Sequence, residues 1–426
     1  MLVNNKIGIN DISLFLPKQG IKLESVVANR SQGQPDLEKQ LRRAVTTTGQ
    51  TALRFPEPWE DTATLAAQAI LALFSRNPAC DTRRVRYLAV GTETTIDQSK
   101  PVAAYVQGML SAAGVALPGA MSTFQVQHAC AGGALALLSA GSLLAVGGRS
   151  EDTAVVCGSD IAHYRGSTTA EITQGAGAAA LHIGADPRLI ELDLASVGYH
   201  SQDVDDFFRP LGQKFPEVKG GYSIQCYNGS LQAAFADACE RQGKDPATVL
   251  KETAVIALHT PFRNMPNLAM TRLLKHHLGL DEQGSAEFLE RRGFYAGIDP
   301  VSLIGNVYSG SVFFTLAFAL ADAFRKAGTD IVGKRVLIGS YGSGSTMAVI
   351  TGTVAATAPE VIGRWELTKQ LEDMRETSYD TYLSWMGRVY ETSPFMLNGD
   401  EARVRGGSFY LKKIREDGYR EYSYKN

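Results

Sequence analysis

Apolar and polar residues follow two different periods along the chain, and the changes between them mark a regular succession of elements. Short runs rich in β-branched and aromatic side chains predict strands, whereas apolar stretches of eleven or more residues predict helices buried on most faces. The predicted strands lie at 6–16, 85–92, 122–127, 153–158, 175–183, 252–258, 335–339 and 346–353, and the predicted helices lie at 62–74, 102–113, 132–147, 268–278 and 311–327. Strands that alternate with helices in this way predict an α/β fold.

The order of these elements is repeated in the second half of the chain. In the first half Cys130 precedes a small, apolar helix, and in the second half Asn306 precedes a helix of the same character. A strand likewise leads to Gly-Thr-Glu at 91–93 and to His-Thr-Pro at 259–261. Two such βαβ halves predict a duplicated α/β fold, whose pseudo-symmetry would bring Cys130, His259 and Asn306 towards one cleft.

The repeat also sets the expected domain boundaries. Residues 1–184 form the first half and residues 185–353 the second, with a glycine-rich loop expected at 340–344. Residues 354–426 are charged and aromatic, with a helical stretch at 365–386 and a strand-like stretch at 406–414. We interpret this last part as an extension that packs on the duplicated core.

The composition is that of an ordinary globular protein. Of the 426 residues 44% are hydrophobic and 20% are charged, and the net charge of −2 argues against nucleic acid or an anionic membrane as partner. Arg, Ser or Gly interrupts each apolar run, so we expect none to reach membrane-spanning length. We expect no signal peptide, and the five cysteines, an odd number without CxxC spacing, predict reduced thiols in the cytoplasm.

Cys130 is the candidate nucleophile. It lies where a predicted strand turns into a predicted helix, and Gly132 and Gly133 would let a substrate approach the backbone closely. Free N–H groups and the positive end of the helix dipole favour an anion, so we expect this position to lower the thiol pKa from its usual value of about 8.5. From this context alone, an inert buried cysteine is the alternative interpretation.

A series of short motifs occurs in a fixed order between Gly8 and about Thr353. They are VGTETTIDQSKPV at 90–102, HACAGG at 128–133, GSDIAHY at 158–164, QGAGAAALHIG at 174–184, DFFRPL at 206–211, SIQCY at 223–227, HTPF at 259–262, GNVYSGSV at 305–312 and SYGSGS at 340–345. In this order and spacing the chain resembles the hydroxymethylglutaryl-CoA synthases of the thiolase superfamily. The resemblance implies a thiolase-like fold in which duplicated βαβ halves form five layers, α-β-α-β-α, with a C-terminal extension.

By this resemblance the chain would join two acyl thioesters through a new carbon–carbon bond. Cys130 would be acylated by a donor acetyl thioester, and Glu60, which matches the Glu of a Glu-Asp pair after a turn, would act as general acid/base. His259 and Asn306 would bind and polarise the carbonyl of a β-ketoacyl acceptor. Such chemistry needs a base within reach of the acetyl methyl group and a stabilised enolate oxygen, which these residue types can provide.

The resemblance also implies substrates, assembly and further contacts. Thioesters of coenzyme A or of an acyl carrier protein would be the substrates, no metal or redox cofactor is implied, and the protein would be a homodimer. The turn at 342–345 would offer backbone N–H groups near Cys130. The expected substrate-binding positions are Asp160, Asp206, Ser309, Tyr341, Gly342, Ser343 and Arg263.

Several positions depart from the family's pattern. His128 and Ala131 stand where asparagine and an aromatic residue are usual, which would tune the thiol pKa and enlarge the acyl pocket. Arg263 replaces part of a lysine pattern that would contact the phosphates of coenzyme A, and Glu171 begins a Glu-Ile-Thr sequence where the family has Arg-Pro-Thr. These changes indicate a divergent member, such as one serving acyl-carrier-protein thioesters in polyketide β-branching, and isoprenoid biosynthesis stays open as the other pathway.

Three other functions stay open at this point. A ketoacyl synthase III-like enzyme also uses Cys, His and Asn, but it drives condensation by decarboxylation and needs no base at Glu60. A Cys130-dependent acyltransferase would form no carbon–carbon bond. A non-catalytic thiolase-fold partner subunit is the third alternative, against which the intact set of Cys130, His259 and Asn306 argues.

Overall fold

The computed structural model describes residues 6–77, 80–388, 394–397 and 400–426 of the chain. Its strands are β1 (Ile7–Phe15), β2 (Gln19–Lys22), β3 (Ala52–Arg54), β4 (Val85–Gly91), β5 (Ser122–Val126), β6 (Thr153–Ala162), β7 (Gly175–Ala185), β8 (Ile190–Leu192), β9 (Gly198–Ser201), β10 (Phe207–Phe208), β11 (Glu217–Val218), β12 (Thr253–Leu258), β13 (Arg335–Gly342), β14 (Thr346–Val354), β15 (Arg375–Glu376), β16 (Phe395–Met396), β17 (Ser408–Ile414) and β18 (Arg420–Lys425). Its α-helices are α1 (Leu23–Arg30), α2 (Pro35–Thr48), α3 (Thr62–Arg76), α4 (Val102–Ala112), α5 (Gly132–Gly147), α6 (Gly220–Gln242), α7 (Pro246–Glu252), α8 (Asn264–Leu278), α9 (Glu282–Glu290), α10 (Phe294–Ile298), α11 (Val301–Ile304), α12 (Ser311–Ala327), α13 (Ala358–Ile362), α14 (Leu367–Glu372) and α15 (Tyr379–Arg388).

One mixed sheet runs through both halves of the chain. Its strand order is β12-β13-β14-β8-β1-β7-β6-β4-β5, and β9 pairs with β14. β4 is parallel to β5 and β6, and β12 is parallel to β13, whereas β7 and β14 run antiparallel to their neighbours. The short strand β8 joins the halves, because it pairs with β1 on one side and with β14 on the other.

Alternate residues of the strands face different hydrophobic cores, as the period of two in a strand requires. In β4, Ala89 belongs to a central core with α5 and α12, whereas Leu88 and Val90 belong to a core with α3 and α4. In β12, Ala257 belongs to the same central core, whereas Ile256 packs in a core with α6 and α8. Two helix layers thus cover the outside of the sheet and one lies between its halves, so the five-layered, duplicated α/β arrangement is confirmed.

The central helix α5 is made of small and apolar residues because it is enclosed between sheet layers. The stretch Ala129–Gly147 is long and apolar enough to cross a membrane by length and composition alone, with a mean hydropathy of 1.9, but 61% of it is buried inside the protein. The expectation that no apolar run reaches that length was therefore wrong for this one stretch. Its small residues allow close contact with the second half, since a Cβ on Gly133 would lie 2.3 Å from the carbonyl oxygen of Ser309.

Two expected elements differ in the structure for identifiable reasons. The glycine-rich loop is shorter than expected, because the pairing of β13 with β14 continues as far as Gly342 and Thr346. The stretch 365–386 forms α14 and α15 rather than one helix, because the intervening residues Arg375–Glu376 pair with β2.

The C-terminal extension is fastened to the core at the start of α3. The Oδ1 atom of Asp61 accepts hydrogen bonds from the N–H groups of Ala63 and Thr64, both at 3.1 Å, and so caps the helix. The Oδ2 atom of the same carboxylate accepts from Arg420 Nη1 at 3.0 Å and from the hydroxyl of Tyr422 at 2.7 Å. A single side chain therefore serves the core helix and holds β18 of the extension.

Candidate active site

One cavity of about 460 Å³ contains three of the four expected catalytic residues. Cys130 lies between β5 and α5, His259 follows β12, and Asn306 precedes the short 3-10 helix Tyr308–Gly310 that leads into α12. Each residue therefore stands at the end of a strand or near the start of a helix, where side chains from several elements converge. The two halves contribute to the same cavity.

The loop that carries Cys130 is a tight turn closed by its own backbone. Ala129 has a left-handed φ of +40°. The N–H of Ala131 donates to the carbonyl oxygen of His128 at 2.9 Å, and the N–H of Gly132 donates to that of Ala129 at 3.4 Å. These two N–H groups are thus already engaged and do not serve an anion at Cys130.

The thiol of Cys130 is buried, and its pKa is raised well above the ordinary value. Burial is the largest cause, and the carboxyl groups of Asp160, Glu93 and Asp206 add to it because negative charge nearby disfavours a thiolate. The expectation that the helix N-terminus would lower this pKa was wrong, since burial and the acids outweigh it. The resting thiol is protonated, and its proton must pass to another group when sulfur attacks a thioester.

His259 is a neutral imidazole on the cavity wall. Only 1% of the residue is exposed, and burial lowers its pKa to about 3. The backbone N–H of His259 donates to the carbonyl oxygen of Gly339 at 2.7 Å. Its backbone carbonyl accepts from the hydroxyl of Tyr227 at 2.8 Å, so the backbone is fixed. Within the described chain, the ring Nδ1 is buried without a hydrogen-bond partner. A neutral ring can accept the thiol proton or donate to a carbonyl oxygen.

The side chain of Asn306 is oriented as a donor. Its Oδ1 atom accepts from the N–H of Tyr308 at 2.9 Å, which leaves the amide NH₂ group for the cavity. Its own N–H donates to the carbonyl oxygen of Thr173 at 2.9 Å. The Asn306 side chain also lies close enough to the hydroxyl of Tyr164 to affect the pKa of that tyrosine. Asn306 can therefore donate to an oxygen that gains negative charge during reaction.

Glu93 is a buried acid close enough to Cys130 to shift the pKa of its thiol. Burial raises the pKa of Glu93 to about 8, against a lowering by the positive charge of Arg209, whose Nη2 lies 3.3 Å from Oε1. A carboxyl group with a pKa near neutrality is suited to general acid/base catalysis. Glu93 was not among the residues predicted from the sequence, although it stands in the motif at 90–102 and in the tripeptide that the repeat aligns with His259.

The structure does not bring Glu60 together with Cys130. Glu60 lines a separate cavity of about 750 Å³ between the core and the extension, in company with Trp385 and Leu411. Its Oε2 atom accepts from the N–H of Glu57 at 2.9 Å, and burial raises its pKa to about 7. A carboxyl group in another cavity cannot take a proton from an acyl group on Cys130. Glu60 was expected as the acid/base because it belongs to a Glu-Asp pair, whose Asp61 caps α3.

Asp160 and Ser309, two of the expected substrate-binding residues, are fully buried and bonded to protein. Oδ1 of Asp160 accepts from the hydroxyls of Thr92 and Thr94 and from the N–H groups of Glu93 and Thr94, all within 3.0 Å. Oδ2 accepts from the N–H of Ser309 at 2.9 Å and from its hydroxyl, which also donates to the carbonyl oxygen of Gly91 at 2.7 Å. This carboxylate fixes the Glu93 loop and ties it to the second half.

Asp206 has a similar supporting place behind the glycine-rich turn. It accepts hydrogen bonds from the hydroxyls of Tyr341 and Ser223 at 2.9 and 3.0 Å and from the N–H of Gly344 at 2.9 Å. Tyr341 and Ser343 line the Cys130 cavity. Gly342 packs against the nucleophile loop, where a Cβ would lie 2.5 Å from the carbonyl oxygen of His128 and 2.7 Å from the Cβ of Ala131.

Three further residues lie differently from expectation. Arg263 is paired with Asp299, Nη2 to Oδ1 at 2.7 Å, so its guanidinium already has a protein partner. His128 lines a separate open groove with Ala129 and Ser345. Ala131 is not among the described residues that line the Cys130 cavity, since its side chain faces Gly342.

Aromatic side chains that were not predicted as site residues pack in one cluster with Cys130 and line its cavity. Tyr164, Phe207 and Tyr308 meet edge to face, with ring centroids 5.9 to 6.5 Å apart. Burial raises the pKa of Tyr164, and the nearby side chains of Tyr308 and Asn306 act against that rise. Tyr164 ends the quoted motif GSDIAHY, which was the available signal.

Comparisons with known proteins agree with this geometry. The family models described as hydroxymethylglutaryl-coenzyme A synthase N terminal and C terminal match residues 3–188 and 296–425. A hydroxymethylglutaryl-CoA synthase of Haloferax volcanii is 30% identical over 367 residues, which are 77% of this chain and 80% of the relative. One of Enterococcus faecalis is 26% identical, with 91% and 93% covered.

Solved structures give the same result. MvaS in complex with 3-hydroxy-3-methylglutaryl coenzyme A has a TM-score of 0.86 and 31% identity, and both chains are fully covered. The HMG synthase of the curacin biosynthetic pathway has a TM-score of 0.85 at 21% identity, with 98% and 99% covered, which shows a shared fold. The chain therefore belongs to the hydroxymethylglutaryl-coenzyme A synthase family, whose members have a thiolase-like fold and condense acyl thioesters.

Proposed function

We propose that this enzyme joins an acetyl group held on Cys130 to the ketone carbon of a β-ketoacyl thioester, and that Glu93 is the general acid/base. The observation that carries the proposal is the buried Glu93 carboxyl, which lies close enough to Cys130 to raise the pKa of its thiol, near the cavity that holds Cys130, His259 and Asn306. A base at this place distinguishes condensation by proton removal from condensation by decarboxylation.

In the first step the sulfur of Cys130 attacks the carbonyl carbon of the donor acetyl thioester. The thiol proton passes to the neutral His259 and then to the departing carrier thiolate, so the products are acetyl-Cys130 and a free carrier thiol. Transfer to His259 avoids a free thiolate, which the surrounding acids make costly.

In the second step the Glu93 carboxylate removes a proton from the acetyl methyl group, and the resulting enolate carbon bonds to the ketone carbon of the acceptor. His259 and the amide of Asn306 donate to the oxygens that gain negative charge. Protonated Glu93 returns its proton to the new alkoxide. Water then cleaves the Cys130 thioester, which frees a carboxylate and restores the thiol, so the product is a 3-hydroxy-3-methylglutaryl-type thioester.

Intact-protein mass spectrometry tests the first step. Wild-type protein and Cys130→Ser are mixed with acetyl-CoA and, separately, with an acetylated carrier protein. We expect a mass increase of one acetyl group in the wild type alone, and the faster donor identifies the carrier. An acetyl adduct that persists in Cys130→Ser would contradict the assignment of the nucleophile.

Addition of acetoacetyl thioester to the acetylated enzyme tests the second step. We expect discharge of the acetyl group into a hydroxymethylglutaryl thioester. Turnover of malonyl thioesters without this product would instead establish the ketoacyl synthase III-like alternative. Discharge to a small nucleophile without a new carbon–carbon bond would establish simple acyl transfer.

We also propose a homodimer that forms along the outer edge of β5. Among the described residues of the chain, β5 ends the sheet order and pairs with β4 alone. The neighbouring helix α5 exposes Leu143 by 43% and Val146 by 76%, one helical turn apart. An unpaired strand edge beside exposed apolar side chains is the kind of surface that a second copy covers.

The five cysteines are free thiols, which supports the proposed cytoplasmic location.

A further inference from the structure

A network of buried polar groups joins the C-terminal extension to the wall of the catalytic cavity. Tyr382 on α15 is fully buried, and its hydroxyl donates to Oε1 of Glu171 at 2.8 Å. The same hydroxyl accepts from Nε2 of Gln174 at 2.5 Å. Glu171 lies on the short 3-10 helix Thr169–Thr173, which contributes to the cavity lining, and Gln174 follows it directly.

The Glu171 carboxylate has partners on several elements. Oε1 accepts from Nε and Nη2 of Arg30 on α1 at 3.0 and 2.8 Å, and Oε2 accepts from the N–H of Ser167 at 2.6 Å. Glu171 is 0% exposed, so these hydrogen bonds take the place of water around its buried carboxylate. Glu171 is also where the sequence departs from the family's Arg-Pro-Thr pattern, so this network is a property of the chain's own residues.

Two groups of the candidate active site are bonded to the same segment. The carbonyl oxygen of Thr173 accepts from the N–H of Asn306 at 2.9 Å, and Oε1 of Gln174 accepts from the N–H of Tyr164 at 3.1 Å. The backbones are in close contact there, since a Cβ on Gly305 would lie 1.9 Å from the carbonyl oxygen of Gln174. A shift of the segment 169–174 therefore moves Asn306 and Tyr164.

We propose that Tyr382 is a positioning residue for the condensation step. By holding Glu171 and Gln174, it fixes the segment to which Asn306 and Tyr164 are bonded, so the extension sets where the acceptor carbonyl is polarised. The inference rests on the proposed function, because Asn306 acts on the acceptor in that step. Acylation depends on the separate loop of Cys130, which its own backbone closes.

Tyr382→Phe tests the proposal, because it removes the hydroxyl and keeps the ring that contacts Phe55 and Trp385. We expect kcat for condensation to fall about tenfold, as a displacement of a fraction of an ångström does at a reacting centre. Acetylation of Cys130, followed by mass spectrometry, stays at the wild-type rate. The matched control is Tyr379→Phe on the same helix, which keeps the ring over Arg30 and retains both rates.

A double-mutant cycle separates positioning from folding. In an Asn306→Ala background Tyr382→Phe should have little further effect on the residual condensation rate, because residues that act through one another are not additive. A similar loss in both backgrounds would show that Tyr382 acts on the fold in general and would overturn the proposal. Wild-type condensation by Tyr382→Phe would also overturn it.

Different samples test the proposed function and the inference about Tyr382. If wild-type protein is acetylated but forms no condensation product, the proposed function is wrong and this inference falls with it. If the wild type condenses and the Tyr382→Phe and Tyr379→Phe variants are indistinguishable from it, only the inference about Tyr382 is wrong.

Discussion

Buried acids surround the candidate nucleophile, and this environment decides which groups carry protons in the resting site. The Cys130 pKa is raised by burial and by Asp160, Glu93 and Asp206, whereas burial keeps His259 neutral. In the resting site the thiol of Cys130 and the imidazole of His259 are therefore both neutral, and charge forms only when substrate is present.

Replacement of Glu93 by Gln should abolish condensation and leave acylation intact. The variant keeps the volume and one acceptor oxygen but cannot take a proton, so we expect a loss of at least about 10²-fold in the condensation rate. Single-turnover discharge of acetyl-Cys130 by acetoacetyl thioester measures it. Glu60→Gln is the matched control and should discharge at the wild-type rate, and the opposite pattern would restore Glu60 as the base.

The pH dependence of the second step follows from the Glu93 pKa of about 8. The base acts as a carboxylate, which is protonated below its pKa, so discharge of preformed acetyl-Cys130 should accelerate from about pH 6 to about pH 9 with a midpoint near the Glu93 pKa. The thiol is absent from this intermediate and does not contribute. A midpoint near 7 that disappears in Glu60→Gln would assign the titration to Glu60 instead.

Single-residue roles were only partly predictable from the sequence. Cys130, His259 and Asn306 are marked by the repeat, because each stands at a corresponding strand or helix end. Glu60 was expected as the base and Glu93 was not, since which of two carboxyls lies near Cys130 depends on packing. The predicted shift of the Cys130 pKa had the wrong direction, because the burial and the neighbouring acids that raise this pKa come from residues far apart in sequence.

At the scale of elements, the carboxylates of Asp160 and Asp61 each accept hydrogen bonds from segments that are far apart in sequence. Asp160 should be the costlier one to alter, because it is fully buried and accepts from Thr92, Thr94 and Ser309. Asp160→Asn places an NH₂ group against these donors, and we expect it to lower the free energy of unfolding by about 2–4 kcal/mol. Urea denaturation measures this, with exposed Asp36→Asn as the control that stays within about 0.5 kcal/mol.

Asp61 allows the cap of α3 and the attachment of the extension to be separated. Asp61→Asn keeps a capping oxygen but loses the charge that pairs with Arg420, so we expect a cost of about 1–2 kcal/mol. Asp61→Ala should cost about 1 kcal/mol more because the cap is lost as well. Equal costs for the two variants in urea denaturation would show that the bonds to Arg420 and Tyr422 alone matter.

Several helices of the duplicated core were predicted well because their own periodicity defines them, whereas the 23-residue helix α6 was not predicted. The predicted ranges for α4, α5 and α12 agree with the structure to within one residue at either end. The stretch 365–386 was not, since the break between α14 and α15 is imposed by pairing with β2, a segment more than 350 residues earlier in the chain. Local pattern cannot register a partner at that distance.

For the whole molecule, the edge of β5 predicts the oligomeric state. Light scattering at micromolar concentration should give the mass of a dimer, and Val146→Glu should shift the protein towards monomer by placing a charge in an apolar contact. Leu211→Glu is the control, because Leu211 is 86% exposed on a segment remote in sequence from β5 and α5. A wild-type monomer, or a dimer that both variants leave intact, would contradict the proposed interface.

The bond between Asp160 and Ser309 also has a consequence for folding during synthesis, because the two residues leave the ribosome at different times. The two residues are 149 positions apart. At a synthesis rate of roughly 5–20 residues per second, about 7–30 s pass between the emergence of the first and the second. Through that interval Oδ1 of Asp160 already has its donors from Thr92, Glu93 and Thr94, whereas Oδ2 lacks the N–H and hydroxyl of Ser309. We therefore expect water to take the place of Ser309 at Oδ2 until that part of the second half has been made.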